Sequence, residues 1–147
     1  MIGPVTIDTS VLVRATALAE AGQQECEEVV VAVGEKNIPV ILPTFVIPEL
    51  AGVLGRRQPA LGSVEAILNR IRGLPRVTFV PLDEALAEEA AELAVETKMR
   101  GADAIYVATA RRYGARLVTA DEEQRSRAPE EVTAVLPTQF LAGLEGR

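Results

Sequence analysis

Few kinds of residue in this chain are able to do chemistry. Among its 147 residues there is no histidine and one cysteine, Cys26. That excludes an imidazole base, Ser-His-Asp and Cys-His nucleophile arrangements, a cysteine-based zinc cluster and an internal disulfide. Catalysis is left to carboxylates, a hard metal ion, or both. Four acids stand where elements begin or end: Asp8, Glu49, Asp103 and Asp121. Brought within a few ångströms of one another, four carboxylates repel unless a cation offsets them. An all-oxygen donor set selects Mg²⁺ or Mn²⁺ over zinc and serves phosphoryl chemistry. Each acid also has an ordinary reading. Asp8 and Asp103 suit helix caps, Glu49 a helix-dipole partner, and Asp121 the start of a turn. Spacing along the chain does not decide between these readings.

The elements that must position the acids follow from pattern. Val5–Ile7 is a β-branched run ending at Asp8, and Thr9 or Ser10 suits the N-cap of a helix entered by Val11, Leu12 and Val13. The segment Glu20–Lys36 mixes strand-prone valines with an acidic lead-in; its length favours a helix ended by Gly34 and Asn37. Val40–Leu42 is a second strand. Thr44 is a candidate cap for a helix running to Arg57, with Pro48 and Glu49 in its first turn. Ser63–Gly73 is amphipathic, Val77–Val80 a third strand, and Asp83–Thr97 a helix with Leu86, Ala90 and Leu93 inward. The glutamates of that helix, Glu88, Glu89, Glu92 and Glu96, read as a solvated face.

Asp103 then opens a small-residue helix that Gly114 ends, Arg116–Thr119 is a strand, and the chain turns polar after Asp121. Thr133–Leu136 is a last strand, followed by a terminal helix from Pro137. Strands alternating with helices along the whole length imply parallel crossovers and a three-layer α/β/α sandwich with a mostly parallel sheet. Strand ends then share one edge, where open α/β sheets place their sites.

Length and composition set bounds. One domain over residues 1–147 is expected, long enough for a real core. Hydrophobic residues make up 48%, yet no apolar run approaches the roughly 20 residues that span a membrane. The N-terminus lacks the basic start and apolar block of a signal peptide, so a cytoplasmic location is expected. The formal charge of −6 argues on its face against binding nucleic acid, although acids that hold cations would shed much of that charge. Aromatic residues make up 3%, with no Trp, which disfavours a base-stacking platform for single strands.

The motifs I-D-T-S-V-L-V, P-E-L, R-G-A-D-A-I-Y-V-A-T-A and L-V-T-A-D, in this order from Asp8 to Asp121, resemble those of the PIN-domain ribonucleases, and among them most the VapC-type toxins. The resemblance implies that Asp8, Glu49, Asp103 and Asp121 hold one or two Mg²⁺ or Mn²⁺ ions, with Thr119 as the family's hydroxyl residue and Thr9 or Ser10 beside the first acid. Glu122 is the first alternative to Asp121. Water activated by the metal would attack an RNA phosphodiester, a mechanism that needs no histidine.

Arg14, Arg56, Arg57, Arg100, Arg111 and Arg112 are candidate phosphate contacts, Arg14 and Arg100 first because each lies near a proposed ligand. The toxin resemblance further implies a homodimer and a small antitoxin whose segment enters the acidic cleft. Three other readings compete. One is a PIN nuclease of RNA processing without an antitoxin, and another a non-catalytic PIN-like module that binds RNA or protein. The third, a phosphohydrolase with Asp8 as nucleophile, is disfavoured because Ser10 stands where its signature needs a second aspartate.

Overall fold

The computed structural model describes residues 2–16, 21–57 and 61–145. Five strands, β1 (Val5–Ile7), β2 (Val40–Pro43), β3 (Val77–Val80), β4 (Arg116–Val118) and β5 (Ala134–Val135), form one sheet in the order β3-β2-β1-β4-β5. Every neighbouring pair is parallel. The helices are α1 (Thr9–Thr16), α2 (Gln23–Glu35), α3 (Val46–Arg56), α4 (Leu61–Arg72), α5 (Glu84–Thr97), α6 (Gly101–Arg112), α7 (Glu122–Arg127) and α8 (Pro137–Glu145).

This is the three-layer sandwich that the alternation of elements implies. Its central strands are buried along their length rather than on alternate residues, as expected of a sheet covered on both faces. The helix α6 packs on β1, β2 and β4 and carries α5, while α1, α2, α3, α4 and α8 are linked by their own contacts. Small side chains let α6 lie close to the sheet, with Ala104, Ala108 and Ala110 fully buried.

Chain order determines where the sheet opens. After β1 the chain builds outward through β2 and β3, then returns to lay β4 on the other side of β1. Val5, Thr6 and Ile7 pair with Arg116, Leu117 and Val118. The direction of winding reverses between β1 and β4, and a crevice forms beyond their carboxyl ends. Asp8 and Thr119 are the first residues past those ends, and the Asp8 amide still donates to the Val118 carbonyl at 2.9 Å.

Local details both match and correct the sequence reading. The valine-rich segment is helical: Val29, Val30 and Val33 are buried while Val31 is exposed, the 3–4 spacing of one helix face. Glu20, the start expected for it, lies outside the described residues. Asp83 is the N-cap of α5, accepting from the Leu86 amide at 2.9 Å, and Leu86, Ala90 and Leu93 are buried as expected. Thr44 does not cap α3. Its hydroxyl accepts instead from the Leu82 amide at 3.0 Å, tying the exit of β3 to the exit of β2, and α3 starts after Phe45 without a side-chain cap. The polar stretch after Asp121 forms α7, which the sequence reading left out because six polar residues carry no apolar period.

Gly114 ends α6 with φ 61°, the left-handed stop expected of it. A Cβ at this position would meet nothing within 4 Å. The Gly114→Ala variant is therefore destabilised by backbone conformation alone, by about 1–2 kcal/mol. A denaturant midpoint equal to that of the parent chain would refute this.

Candidate active site

All four acids line one cleft of about 380 Å³ beyond the β1 and β4 ends. Four different elements supply them, and each acid stands at a helix N-terminus. Asp8 follows β1 and accepts from the Ser10 amide at 2.9 Å, so Asp8 itself, rather than Thr9 or Ser10, opens α1. Glu49 is in the first turn of α3. Asp103 is in the first turn of α6, whose N-cap is Arg100. Asp121 is the N-cap of α7, its Oδ1 accepting from the Glu123 and Gln124 amides at 3.0 and 3.2 Å. The ordinary and the chemical reading of Asp121 thus coexist, because its Oδ2 faces Arg100 at 3.7 Å. Helix N-termini favour negative charge, by roughly 0.3–1 kcal/mol each.

That help does not remove the cost of crowding. Burial pushes the Asp8 carboxyl above the usual aspartate range, and the charge of Glu49 adds to the effect against hydrogen bonds from Ser10 and Gln124. Asp103 is likewise pushed up, first by burial and then by the charge of Asp8, with Asp121 adding and Arg100 opposing. The Arg100 guanidinium lies 3.3 Å from Asp103 and 3.7 Å from Asp121, a positive charge between two of the acids.

Hydrogen bonds from neutral groups orient the rest. Tyr106, fully buried on α6, donates to Glu49 Oε1 at 2.7 Å and is bonded in turn to the Thr9 hydroxyl. With the Tyr106 O–H directed at Glu49, Thr9 is the donor to the Tyr106 oxygen, and the three form a chain from α1 through α6 to α3. Burial, and then the charge of Glu49, hold the Tyr106 phenol far above its ordinary range, so it remains a donor. Thr119 is fully buried and does not line the cleft. Its hydroxyl accepts from the Asp121 amide at 3.0 Å and lies 3.4 Å from the Ser10 hydroxyl, which accepts from the Ala120 amide at 3.1 Å. Gln124, also fully buried, donates from Nε2 to Asp8 Oδ1 at 3.2 Å.

Among the arginines, Arg14, Arg56, Arg57 and Arg100 line the cleft, whereas Arg111 and Arg112 do not; Arg112 pairs with Glu89 at 2.9 Å. Glu122 turns away from the cleft to pair with Arg125. Sequence reasoning missed Tyr106 and Gln124. Tyr106 lay in plain view as the one large polar residue in a run of small ones, whereas nothing local distinguishes Gln124 from the surrounding Glu and Arg.

The cleft suits a hard divalent cation by its donor chemistry: all four acids present oxygen, burial and neighbouring charge disfavour ionisation of Asp8 and Asp103, and Arg100 already sets positive charge between two of the acids. The acids stand around the cleft rather than on one point. Among the described residues, no three acidic or cysteine side chains converge into a ready ligand group.

An α/β sandwich with four acids at the switch point of a parallel sheet is the class of protein that fold and site define. The PIN domain family model matches residues 5–129, and the chain belongs to that family. No curated protein sequence matches it. Among solved structures, VapC20 of Mycobacterium tuberculosis, a toxin that cleaves the sarcin-ricin loop, is similar in fold, with a TM-score of 0.71 and 21% identity over 88% of this chain and 98% of that one. VapBC2 of Rickettsia felis, bound to promoter DNA, is similar with a TM-score of 0.67 and 16% identity over 90% of this chain and 98% of that one. FitAcB of Neisseria gonorrhoeae is similar with a TM-score of 0.66 and 19% identity over 91% of this chain and 98% of that one.

The raised carboxyls give a signed expectation. The folded chain keeps protons that the unfolded chain releases above the ordinary aspartate value of 3.8, so the metal-free protein loses stability as pH rises through that window. Asp103→Asn removes its share of the loss. Solvent still reaches this partly exposed group and screens it, which limits the gain at pH 7 to ~1 kcal/mol, or about 2–4 °C in Tm. The gain vanishes below pH 3.8. Thermal melts of metal-free protein across pH measure this, and a variant less stable than the parent at pH 7 would contradict it.

Proposed function

We propose that the chain is a Mg²⁺- or Mn²⁺-dependent endoribonuclease, the toxin of a toxin-antitoxin pair. The observation that carries this reading is the meeting of Asp8, Glu49, Asp103 and Asp121, from four separate elements of a PIN domain, in one cleft with arginines on its walls. Asp8, Glu49, Asp103 and Asp121 would hold the ion, with small side-chain rotations to close on it and with Arg100, itself largely exposed, swinging off Asp103 and Asp121. The ion would supply Lewis acidity and acidify water for attack on a phosphodiester.

The chain's own residues do the rest. Arg14, Arg56, Arg57 and Arg100 bind RNA phosphates and offset the net charge of −6 at the point of contact. Thr119 holds the loop that carries Asp121, through its bond to the Asp121 amide. The toxin reading draws support from similarity in fold to VapC20 and to the VapBC2 complex. A cognate antitoxin would enter the acidic cleft with a basic side chain, and a homodimer belongs to the same reading. One rival is a PIN-like module that binds without cutting, and the presence of all four acids in the cleft disfavours it. Metal titration separates the two.

Purified chain with structured RNA is expected to cleave only with added Mg²⁺ or Mn²⁺. Asp8→Asn and Asp103→Asn should each slow cleavage about 100-fold or more, ~2.7 kcal/mol of barrier. Equal cleavage by parent and variants would overturn the four-acid reading, and metal-bound protein that leaves RNA intact would favour the binding module. Mn²⁺ should also raise the Tm of the parent, and raise that of Asp103→Asn much less.

Expression of the chain alone is expected to arrest growth, with relief by a partner encoded beside it. Unaffected growth at verified expression would favour a processing nuclease without an antitoxin.

A further inference from the structure

Beneath the cleft, one neutral residue touches three of the four acidic positions, two through its side chain and one through its main chain. Gln124 is 1% exposed although its neighbours Glu122 and Glu123 on the same short helix are exposed. Its Nε2 donates to Asp8 Oδ1 and to the main-chain carbonyl of Asp103, both at 3.2 Å. Its own main-chain amide is held by Asp121 Oδ1 at 3.2 Å. Two acceptors around one end of the amide identify that end as nitrogen, because a flipped group would set Oε1 against a carboxylate and a carbonyl.

The other end is informative in a different way. Gln124 Oε1 is buried and has no hydrogen-bond partner among the described residues. A buried polar group left unpaired opposes folding, and an apolar side chain of similar size would remove that cost while giving up the Nε2 bonds to Asp8 and Asp103, so the two effects oppose each other. Stability alone therefore gives little reason for an amide here. Its donor end has a use that an apolar group lacks: it orients a buried carboxylate and leaves the charge intact. An arginine or lysine in its place would neutralise Asp8 and compete with a cation.

We propose that Gln124 is a positioning residue, one that fixes the rotation of the Asp8 carboxylate and its spacing from the α6 N-terminus so that Asp8 and Asp103 present oxygens to the same divalent ion. The inference rests on the nuclease reading of the cleft. In that role Gln124 holds a proposed ligand in place as outer hydrogen-bond partners of metal ligands do, and touches neither ion nor RNA.

The test uses the full chain and two variants without the donor, Gln124→Leu and the unbranched Gln124→Met. Calorimetric titration with Mn²⁺ alone is expected to show affinity weakened about 10-fold or more in both variants, while the metal-free Tm stays near the parent's, since removal of the unpaired Oε1 offsets loss of the Nε2 bonds. On RNA, kcat is expected to fall with KM unchanged, since the phosphate-binding arginines are untouched. Mn²⁺ affinity within twofold of the parent in both variants overturns the proposal. So does a loss of affinity that only follows a lowered metal-free Tm, which is the mark of a purely structural residue. A parent chain that binds no Mn²⁺ overturns the nuclease reading itself, and that result is distinguishable from the other two.

Discussion

Parallel pairing of β1 with β4, in the register that sets Ile7 beside Val118, is the constraint from which the cleft follows. Parallel strands carry their carboxyl ends to the same edge, and the helices that leave those ends begin there. Asp8, Glu49 and Asp121 occupy the cap or first turn of helices that follow β1, β2 and β4, and Asp103 occupies the first turn of α6, which packs across those strands. The field of each helix terminus lowers the cost of its acid. That cost is not eliminated, as the raised Asp8 and Asp103 carboxyls show. What remains is an unspent preference for positive charge, partly met by Arg100.

The manner in which the acids are held preserves this preference. Asp8 takes its hydrogen bonds from the Ser10 amide and the Gln124 amide, and Glu49 from the Tyr106 hydroxyl. These donors are neutral, so they restrict rotation without cancelling charge. Arg100, a cation that pairs with Asp103 and Asp121, sits on the exposed side, where that pairing is weak and easily exchanged. A firm neutral base under a loosely held cation is the arrangement expected of a site whose acids serve a further partner, and it agrees with the chemistry proposed for the cleft.

Much of the architecture was legible in local pattern. The burial of Val29, Val30 and Val33 on one side of α2 follows from their spacing once length decides in favour of a helix, and Asp83, Leu86, Ala90 and Leu93 behave as a cap and a stripe should. Thr44 and α7 were misread for a shared reason. A threonine before a helix is a cap only if no better donor reaches it, and here the amide of Leu82 arrives from just past the end of β3. A six-residue polar helix is held by the Asp121 cap and by the burial of Gln124, and neither leaves an apolar period to read.

The sequence by itself determined the kinds of chemistry open to this protein. Without histidine, and with one cysteine, it leaves oxygen donors alone, and its order of strands and helices makes the sheet parallel. Tertiary structure alone decided which acids share a cleft, since convergence depends on the lateral order of strands, which local propensity does not encode. It also separated Asp121 from Glu122, because the rotation of α7 turns one toward Arg100 and the other toward Arg125. The same holds for Gln124 and Tyr106. A hydrogen bond across 116 residues, or across 57, exists only once the chain has folded back on itself.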